Sequence, residues 1–415
     1  MYQIPRGTRD FLPEQAARFR RLEAIAAQLA DQYGYGEMRT PIFEHAELFE
    51  RSVGESTDIV EKEMYTFFDR GQRRLTLRPE GTAGVVRAFI EHKLYGGSLP
   101  AKYYYFGPIF RYERPQAGRY RQHWQFGVEL FGAAGPQADA EVIALGWQYF
   151  RELGIETSLV LNSIGCNQCR SRYKAALVAY LEGRALCPQC TQRLERNPLR
   201  VLDCKEESCR QAIAEAPRLS EYLCPDCQEH FTQVKGALTS MSIPYTLDHR
   251  LVRGLDYYCR TTFEYKTGQL GSQDALGGGG RYDDLVELAG GPSLPAVGLG
   301  LGVDRIELLD PPALKMGTER RGVWLVTIDP ATDQAIALAH PLRRLGVRLQ
   351  YDLLGRGFKA QFKQADRANC RWALIIGPDE LEQGQALLRD LVSGEQQVLP
   401  LRGLEPSLLQ LEGVK

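Results

Sequence analysis

No stretch of this chain approaches the roughly 18 consecutive apolar residues that a membrane-spanning helix needs. Its first residues, MYQIPRGTRDFLP, lack the apolar core of a secretory signal. Both absences predict a cytoplasmic protein with no membrane partner. An excess of one charge is also missing, since 51 Lys and Arg stand against 52 Asp and Glu. Any polyanionic partner must therefore be met by local positive charge. There is no internal repeat, low-complexity tract, Walker loop or dinucleotide fingerprint, which excludes solenoids and two familiar phosphate cradles. Ten cysteines are present. With no export signal they read as reduced thiols or metal ligands rather than disulfides.

At 415 residues the chain is too long for one compact domain and predicts two or three. Apolar residues Phe19, Leu22, Ile25, Ala26, Leu29 and Tyr33 have helical spacing, with Gly34 as a stop. The following MRTPIFEHAELF is expected to be extended around Pro41. Strands are expected at 73–79, 102–113, 122–132, 158–162 and 259–267, and a helix from Asp139 to Leu153. Gly-rich segments at 276–286 and 296–309 add further strands and a helix. The segment 311–321 reads as a linker, with 1–164, 165–232 and 233–310 before it and a small α/β domain, 322–415, after it.

Three constellations carry chemistry. Arg111 to Arg121 places four arginines in eleven residues around a Pro-Gln-Ala-Gly turn, so that several guanidinium groups can meet one anion. The plain alternative is a solvated basic hairpin. Gly298, Gly300 and Gly302 strip one face of a strand, which can take a planar base or a packed neighbouring element. Arg305 follows at the passage into a helix, suited to a terminal phosphate. Gly277 to Gly280 permit close approach of backbone to a ligand.

These strings resemble known ones. Arg111–Arg121 and Gly298–Arg305 resemble motifs 2 and 3 of class II aminoacyl-tRNA synthetases, and Pro41 sits where motif 1 has its proline. LVRGLDYY (251–258) and GGGGRYD (277–283) look like the signature peptides of histidyl-tRNA synthetases, and RGTRD (6–10) and LRPEGT (77–82) look like that family too. The resemblance runs in order to about residue 400. It implies an α+β class II catalytic domain on an antiparallel sheet, a Cys-rich insertion and a C-terminal α/β anticodon-binding domain. The implied partners are ATP with Mg²⁺, L-histidine and tRNA(His), and the implied assembly is a homodimer.

The same resemblance assigns roles. Arg111 and Arg253 would stabilise the α-phosphate and carry catalysis, Glu113 would meet the adenine edge, and Arg119 and Arg305 the outer phosphates. Glu80, Gly81, Thr82 and Gln125 would surround the α-amino group of histidine. Glu129, Tyr257 and Tyr258, with Tyr120 as a further candidate, would read the imidazole. Arg114 and Gln116 would touch the tRNA acceptor end. The chain departs from its relatives at Trp124 (usually His), Cys259 (usually Asn or Thr) and Ala117 (Lys in some). The first two could alter the pocket wall.

Cys166/Cys169, Cys187/Cys190, Cys204/Cys209 and Cys224/Cys227 form four pairs, enough for two tetrathiolate sites of structural Zn²⁺. Spacing does not say which pairs share an ion, and reduced thiols without metal remain the alternative. Between Arg343 and Arg371 eight basic residues face only Asp352 and Asp366. Lys359, Lys363 and Arg367 fall on one helix face, as phosphate contact requires. A histidine-sensing paralogue without ligase activity is the chief rival. It typically lacks the RGLDYY arginine and the anticodon domain, and this chain carries strings matching both.

Overall fold

The computed structural model describes residues 2–54, 57–315, 319–329 and 331–412. The chain divides into two compact units between Lys315 and Met316. Residues 316–318 of the expected linker and 413–415 of the expected last domain lie outside the described residues. No described helix is long and apolar enough to cross a membrane.

The strands of the first unit are β1 (Gly36–Glu37), β2 (Phe43–His45), β3 (Tyr65–Phe68), β4 (Arg74–Leu77), β5 (Ala101–Phe110), β6 (Gln122–Phe131), β7 (Ser158–Ser163), β8 (Thr246–Leu247), β9 (Cys259–Lys266), β10 (Ala275–Arg281) and β11 (Ala296–Gly302). Eight of them form one sheet in the order β1-β5-β6-β11-β10-β9-β7-β8. Its interior pairs are antiparallel, as expected, but the two-residue edge strands β1 and β8 add in parallel to β5 and β7. Two residues are too few to leave a periodic signal.

Alternation along the strands gives the sheet two unlike faces. Phe126, Val128 and Leu130 of β6, Val297, Leu299 and Leu301 of β11, and Phe263 and Tyr265 of β9 share an apolar core with the helices Pro13–Gln32 and Pro136–Leu153. Those helices stop before Gly34 and at Gly154, both in the left-handed conformation that ends a helix without a Cβ penalty. The opposite face carries Tyr105, Gly107, Gln125, Gly127 and Glu129, opposed in register by glycines 298, 300 and 302. Gly278 and Gly280, with Glu264 and Thr262 beyond them, continue it.

The extended reading of 38–49 is corrected in its last residues. Ala46–Val53 is a helix, because Ala46, Phe49 and Val53 are spaced to bury one helical stripe. Residues 166–227 are mainly helical, built on Asn167–Leu181, Pro188–Arg196 and Glu207–Ile213, with Pro225–Ser240 leading back toward the sheet. Tyr173, Leu177, Val201 and Ile213 form their core together with Cys190 and Cys209.

The second unit has β12 (Val323–Thr327), β13 (Leu349–Tyr351), β14 (Trp372–Ile376), β15 (Gln385–Asp390) and β16 (Gln396–Pro400), ordered β13-β12-β14-β15-β16. The first three strands are parallel and carry the expected α/β alternation. The last two are antiparallel and are too polar to have been read as strands. β13 ends at Tyr351, because the Asp352 carboxylate accepts the Leu354 and Arg356 N–H groups and turns the chain.

Candidate active site

The loop between β5 and β6 folds back on itself, with Gln116 and Arg119 bridged around Gly118 at φ +71°. Of its four arginines only Arg111 and Arg119 enter the cleft beside it, while Arg121 stacks over Tyr112 at 3.8 Å and Arg114 is exposed with Gln116 at the tip. The expected convergence of guanidinium groups is completed from elsewhere, by Arg253 ahead of β9 and Arg305 after β11. Arg111 is oriented by donating to the Pro79 carbonyl at 2.7 Å, and Arg305 by donating to the carbonyls of Ala275 at 2.7 Å and Gly118 at 3.2 Å.

Positive charge is crowded here. Burial, with Arg119 and Arg111 nearby, lowers the pKa of Arg305. Burial and the Arg111, Arg305 and Arg119 charges push His123 down to about 3, so it stays neutral. Two carboxylates temper the cluster. Glu113 pairs with Arg119, and Glu264 accepts from Arg253 Nη1 at 2.9 Å. An arginine cluster beside backbone carbonyls and a neutral histidine suits a polyphosphate.

Deeper on the same face lies a buried cluster of two carboxyl groups, hydroxyls and tyrosine rings. Glu80 is buried and accepts the Thr82 and Ala83 N–H groups, both at 2.7 Å, at the start of the helix Thr82–Glu91, where a negative charge is favoured. Glu129 is fully buried and accepts from the Thr82 hydroxyl at 2.7 Å and from the Tyr282 hydroxyl. Burial raises the Glu129 carboxyl to about 8, against those two hydrogen bonds. Tyr257 packs against Tyr258 at 4.7 Å and against Tyr282 at 5.5 Å. Tyr105 donates to Gln125 at 3.2 Å. Its ring lies in a slot that a Cβ on Gly81 or Gly127 would enter, at 2.3 and 2.2 Å respectively.

The structure thus brings Glu80, Gly81, Thr82, Gln125, Glu129, Tyr257 and Tyr258 together, and Arg111, Glu113, Arg119, Arg253 and Arg305 together beside them. Tyr120 does not join the buried pocket. It lines the cleft under Arg9, whose guanidinium stands 4.7 Å above its ring. Of the two uses open to the bare strand, the packed neighbour holds at Gly298 and Gly300, while the ligand approach expected over Gly277 to Gly280 is corrected. A Cβ on Gly298 or Gly300 would strike Glu129 at 2.0 Å or Gln125 at 2.1 Å, so those side chains fill the bare strand face and only Gly302 opens on the cleft. Gly278 to Gly280 admit the backbones of the neighbouring strands, leaving Gly277 at the cleft.

Trp124 is also corrected. It faces the apolar side, against Phe11, Phe19 and Phe106, and does not form pocket wall. Cys259 is buried, and its thiol accepts the Asp283 N–H at 3.4 Å. Tyr105, Tyr282, His123 and Glu264 were not singled out from sequence. Two-residue alternation from Gly280 points to Tyr282, and from Gln125 to His123.

The eight paired cysteines gather into two sets, Cys166/Cys169/Cys224/Cys227 and Cys187/Cys190/Cys204/Cys209, with each set's sulfur atoms within 4.8 Å of one another. The first pair therefore joins the fourth, and the second joins the third. All eight are free thiols.

A mixed sheet with a glycine-backed active face, an arginine cleft and a separate C-terminal α/β unit defines a class II aminoacyl-tRNA synthetase. A family model described as Histidyl-tRNA synthetase matches residues 7–306, and one described as Anticodon binding domain matches 323–411. The histidine–tRNA ligase of Natranaerobius thermophilus is 49% identical over 418 residues, covering 99% of each chain. That of Desulforudis audaxviator is 52% identical over 397 residues, covering 94% of each. The apo Staphylococcus aureus histidyl-tRNA synthetase structure aligns with TM-score 0.84 at 38% identity, covering 98% of this chain and all of that one. The chain belongs to the histidyl-tRNA synthetase family.

Proposed function

We propose that the two adjoining pockets activate L-histidine with ATP and then charge tRNA(His), which makes the chain a histidine–tRNA ligase. In the first step a histidine carboxylate oxygen attacks the α-phosphorus of ATP. The bond to the bridging oxygen of pyrophosphate breaks, and histidyl-adenylate forms. No side chain need remove a proton, since the carboxylate is already the nucleophile. Arg111 and Arg253 stabilise charge developing on the α-phosphate, Arg119 and Arg305 hold the outer phosphates, and Glu113 meets the adenine edge. Mg²⁺, when bound, would neutralise the phosphates further, and Glu264, the β9 carboxylate at the cleft, would hold it. In the second step a hydroxyl of the terminal tRNA ribose attacks the activated carbonyl and AMP leaves, with Arg114 and Gln116 guiding the acceptor end.

Selectivity comes from the buried pocket. Glu80, Thr82 and Gln125 receive the α-amino group. Glu129 accepts one imidazole N–H, while tyrosine hydroxyls meet the other ring nitrogen. An amino acid without those nitrogens leaves buried polar groups unpaired, which discriminates strongly. The observation that carries the reading is this juxtaposition of a doubly hydrogen-bonded, buried Glu129 with the arginine cleft. The protein would work in the cytoplasm as a homodimer, following the family. Pyrophosphate exchange driven by each of the twenty amino acids tests the proposal. Exchange with histidine alone is expected, and exchange with none would leave only a histidine-sensing role.

A further inference from the structure

We infer that the chain binds two structural zinc ions, and that the ion held by Cys166, Cys169, Cys224 and Cys227 positions the imidazole-reading peptide through Arg170 and Arg260. The second half rests on the histidine reading of Tyr258.

Geometry supports the metal. Zn–S bonds of about 2.3 Å in a tetrahedron place sulfur atoms ~3.8 Å apart. Here Cys166 Sγ lies 3.6 Å from Cys169 Sγ and 4.0 Å from Cys224 Sγ, and Cys187 Sγ lies 3.9 Å from Cys204 Sγ. A disulfide would need about 2.05 Å. Each cluster also has a backbone donor aimed at sulfur. Cys224 N–H meets Cys169 Sγ and Cys187 N–H meets Cys209 Sγ, both at 3.1 Å, as suits a thiolate. Gly165, at φ +63°, lets the first loop close, since a Cβ there would sit 2.4 Å from Cys169 Cβ.

The first cluster grips residues 258–260 from both of its arms. On one arm, Cys166 precedes the helix Asn167–Leu181, and its carbonyl accepts the Arg170 N–H at 2.9 Å. The Arg170 guanidinium donates to the Tyr258 carbonyl. Just before Cys166, Ile164 N–H donates to the Arg260 carbonyl at 2.8 Å, and Arg260 N–H donates to the Gly165 carbonyl at 2.9 Å. Arg260 is left-handed, at φ +49°, a conformation that a non-glycine residue keeps only when its surroundings fix it. On the other arm, Cys224 and Cys227 begin the helix Pro225–Ser240, whose His230 stands 3.4 Å from Arg260 Nη1 and 3.3 Å from Asp139. The ion would lock the two arms together, and the Tyr257 and Tyr258 rings hang from the peptide between them. The second cluster closes within the insertion. Its neighbour Asn197 donates a 2.6 Å hydrogen bond to the Asp256 carboxylate, short of the 258–260 segment. It serves as an internal control.

The test combines metal analysis with steady-state exchange on the full chain. Two zinc ions per chain are expected, matching the two clusters. Arg170→Ala should keep both ions and raise KM for histidine about fivefold to tenfold, leaving kcat and KM for ATP within about twofold, as loss of a positioning contact on one substrate requires. Arg170→Lys should recover part of the loss. Cys227→Ser should hold one ion and show the same histidine defect, whereas Cys209→Ser should hold one ion with a smaller defect. A chain that purifies with fewer than two ions, and takes up no more from added Zn²⁺, overturns the metal assignment. An Arg170→Ala chain with unchanged histidine KM, or with kcat and both KM values moved together, overturns the coupling even if the cysteine variants fail to fold. Absence of histidine-driven exchange in the unaltered chain overturns the histidine reading and the coupling with it, while the metal count stands or falls by itself.

Discussion

The arginine cleft and the acidic pocket beneath it stand on one sheet face and solve opposite electrostatic problems. In the cleft, Arg111, Arg119, Arg253 and Arg305 stand together; burial with the Arg119 and Arg111 charges lowers Arg305, and burial with the Arg111, Arg305 and Arg119 charges keeps His123 neutral. In the pocket, burial raises both Glu80 and Glu129. Each region is strained in the sense opposite to its ligand. A triphosphate relieves the first, and an ammonium and an imidazole N–H relieve the second. Glu113 and Glu264 already pair with Arg119 and Arg253, whereas Glu80 and Glu129 are held by backbone and hydroxyl donors, which keeps them for the substrate's N–H groups.

The contrast breaks most visibly at Arg253. Arg253→Ala should lower kcat for pyrophosphate exchange by on the order of 10² to 10³, the usual consequence of losing one charged group at a developing negative charge. Histidine affinity, measured by calorimetry without ATP, should barely change. Equal losses in both would mean that the cleft and the pocket are one electrostatic unit.

Next in size is Glu129→Gln, which removes the carboxylate that a histidine N–H needs and keeps the side chain's shape. A charge-assisted hydrogen bond is worth about 1.5–3 kcal/mol. So kcat/KM for histidine should fall by roughly 10- to 100-fold while KM for ATP holds. An ATP effect of the same size would contradict the division of labour.

A smaller effect sharpens the same comparison through pH. Burial raises the Glu129 carboxyl to about 8, with hydrogen bonds from Tyr282 and Thr82 opposing and the Glu80 charge adding. Folded Glu129 therefore keeps a proton that the unfolded chain releases near the ordinary carboxylate value of 4.5. Its stabilising contribution is complete below that value and is lost as pH rises through about 8. Histidine that donates an N–H needs the carboxylate, so its binding releases the proton. Its affinity should rise about fivefold from pH ~7 to ~8, with proton release seen by calorimetry in two buffers. In Glu129→Gln that rise should vanish.

How much of this was legible in the sequence follows from the range of each interaction. Strand runs such as YYYFGPIF and VGLGLG announce the sheet, because alternation is local. What fills the space over Gly298 and Gly300 is decided by the antiparallel register with β6, some 170 residues earlier, which sets Glu129 beside Gly298. The joining of Cys166/Cys169 to Cys224/Cys227 is likewise fixed by how the insertion closes, not by spacing. Tyr282 belongs to a string noted for its glycines, and its role emerges only once Glu129 is seen beneath it. The edge strands β1 and β8 are held by pairing alone, so no pattern marks them.

The least effect is expected in the second unit, where charge is exposed. Of the eight basic residues between 343 and 371, Arg343 is turned onto the Leu349 carbonyl at 2.9 Å, Arg356 onto Asp352 at 2.7 Å and Arg371 onto Asp390 at 2.5 Å. Lys359, Lys363 and Arg367 remain exposed along the helix Phe358–Arg367, whose Gln361 and Ala365 are buried. Unlike the cleft arginines, these charges are spread along a solvated face. They suit a long polyanion, met by several weak contacts that each displace a counterion. Replacing Lys359 and Lys363 by Ala should raise KM for tRNA several-fold and lower the slope of log affinity against log salt by about two. Histidine-dependent pyrophosphate exchange, which needs no tRNA, should be untouched. If exchange fell as well, the two units would share a task that their separate electrostatics do not suggest.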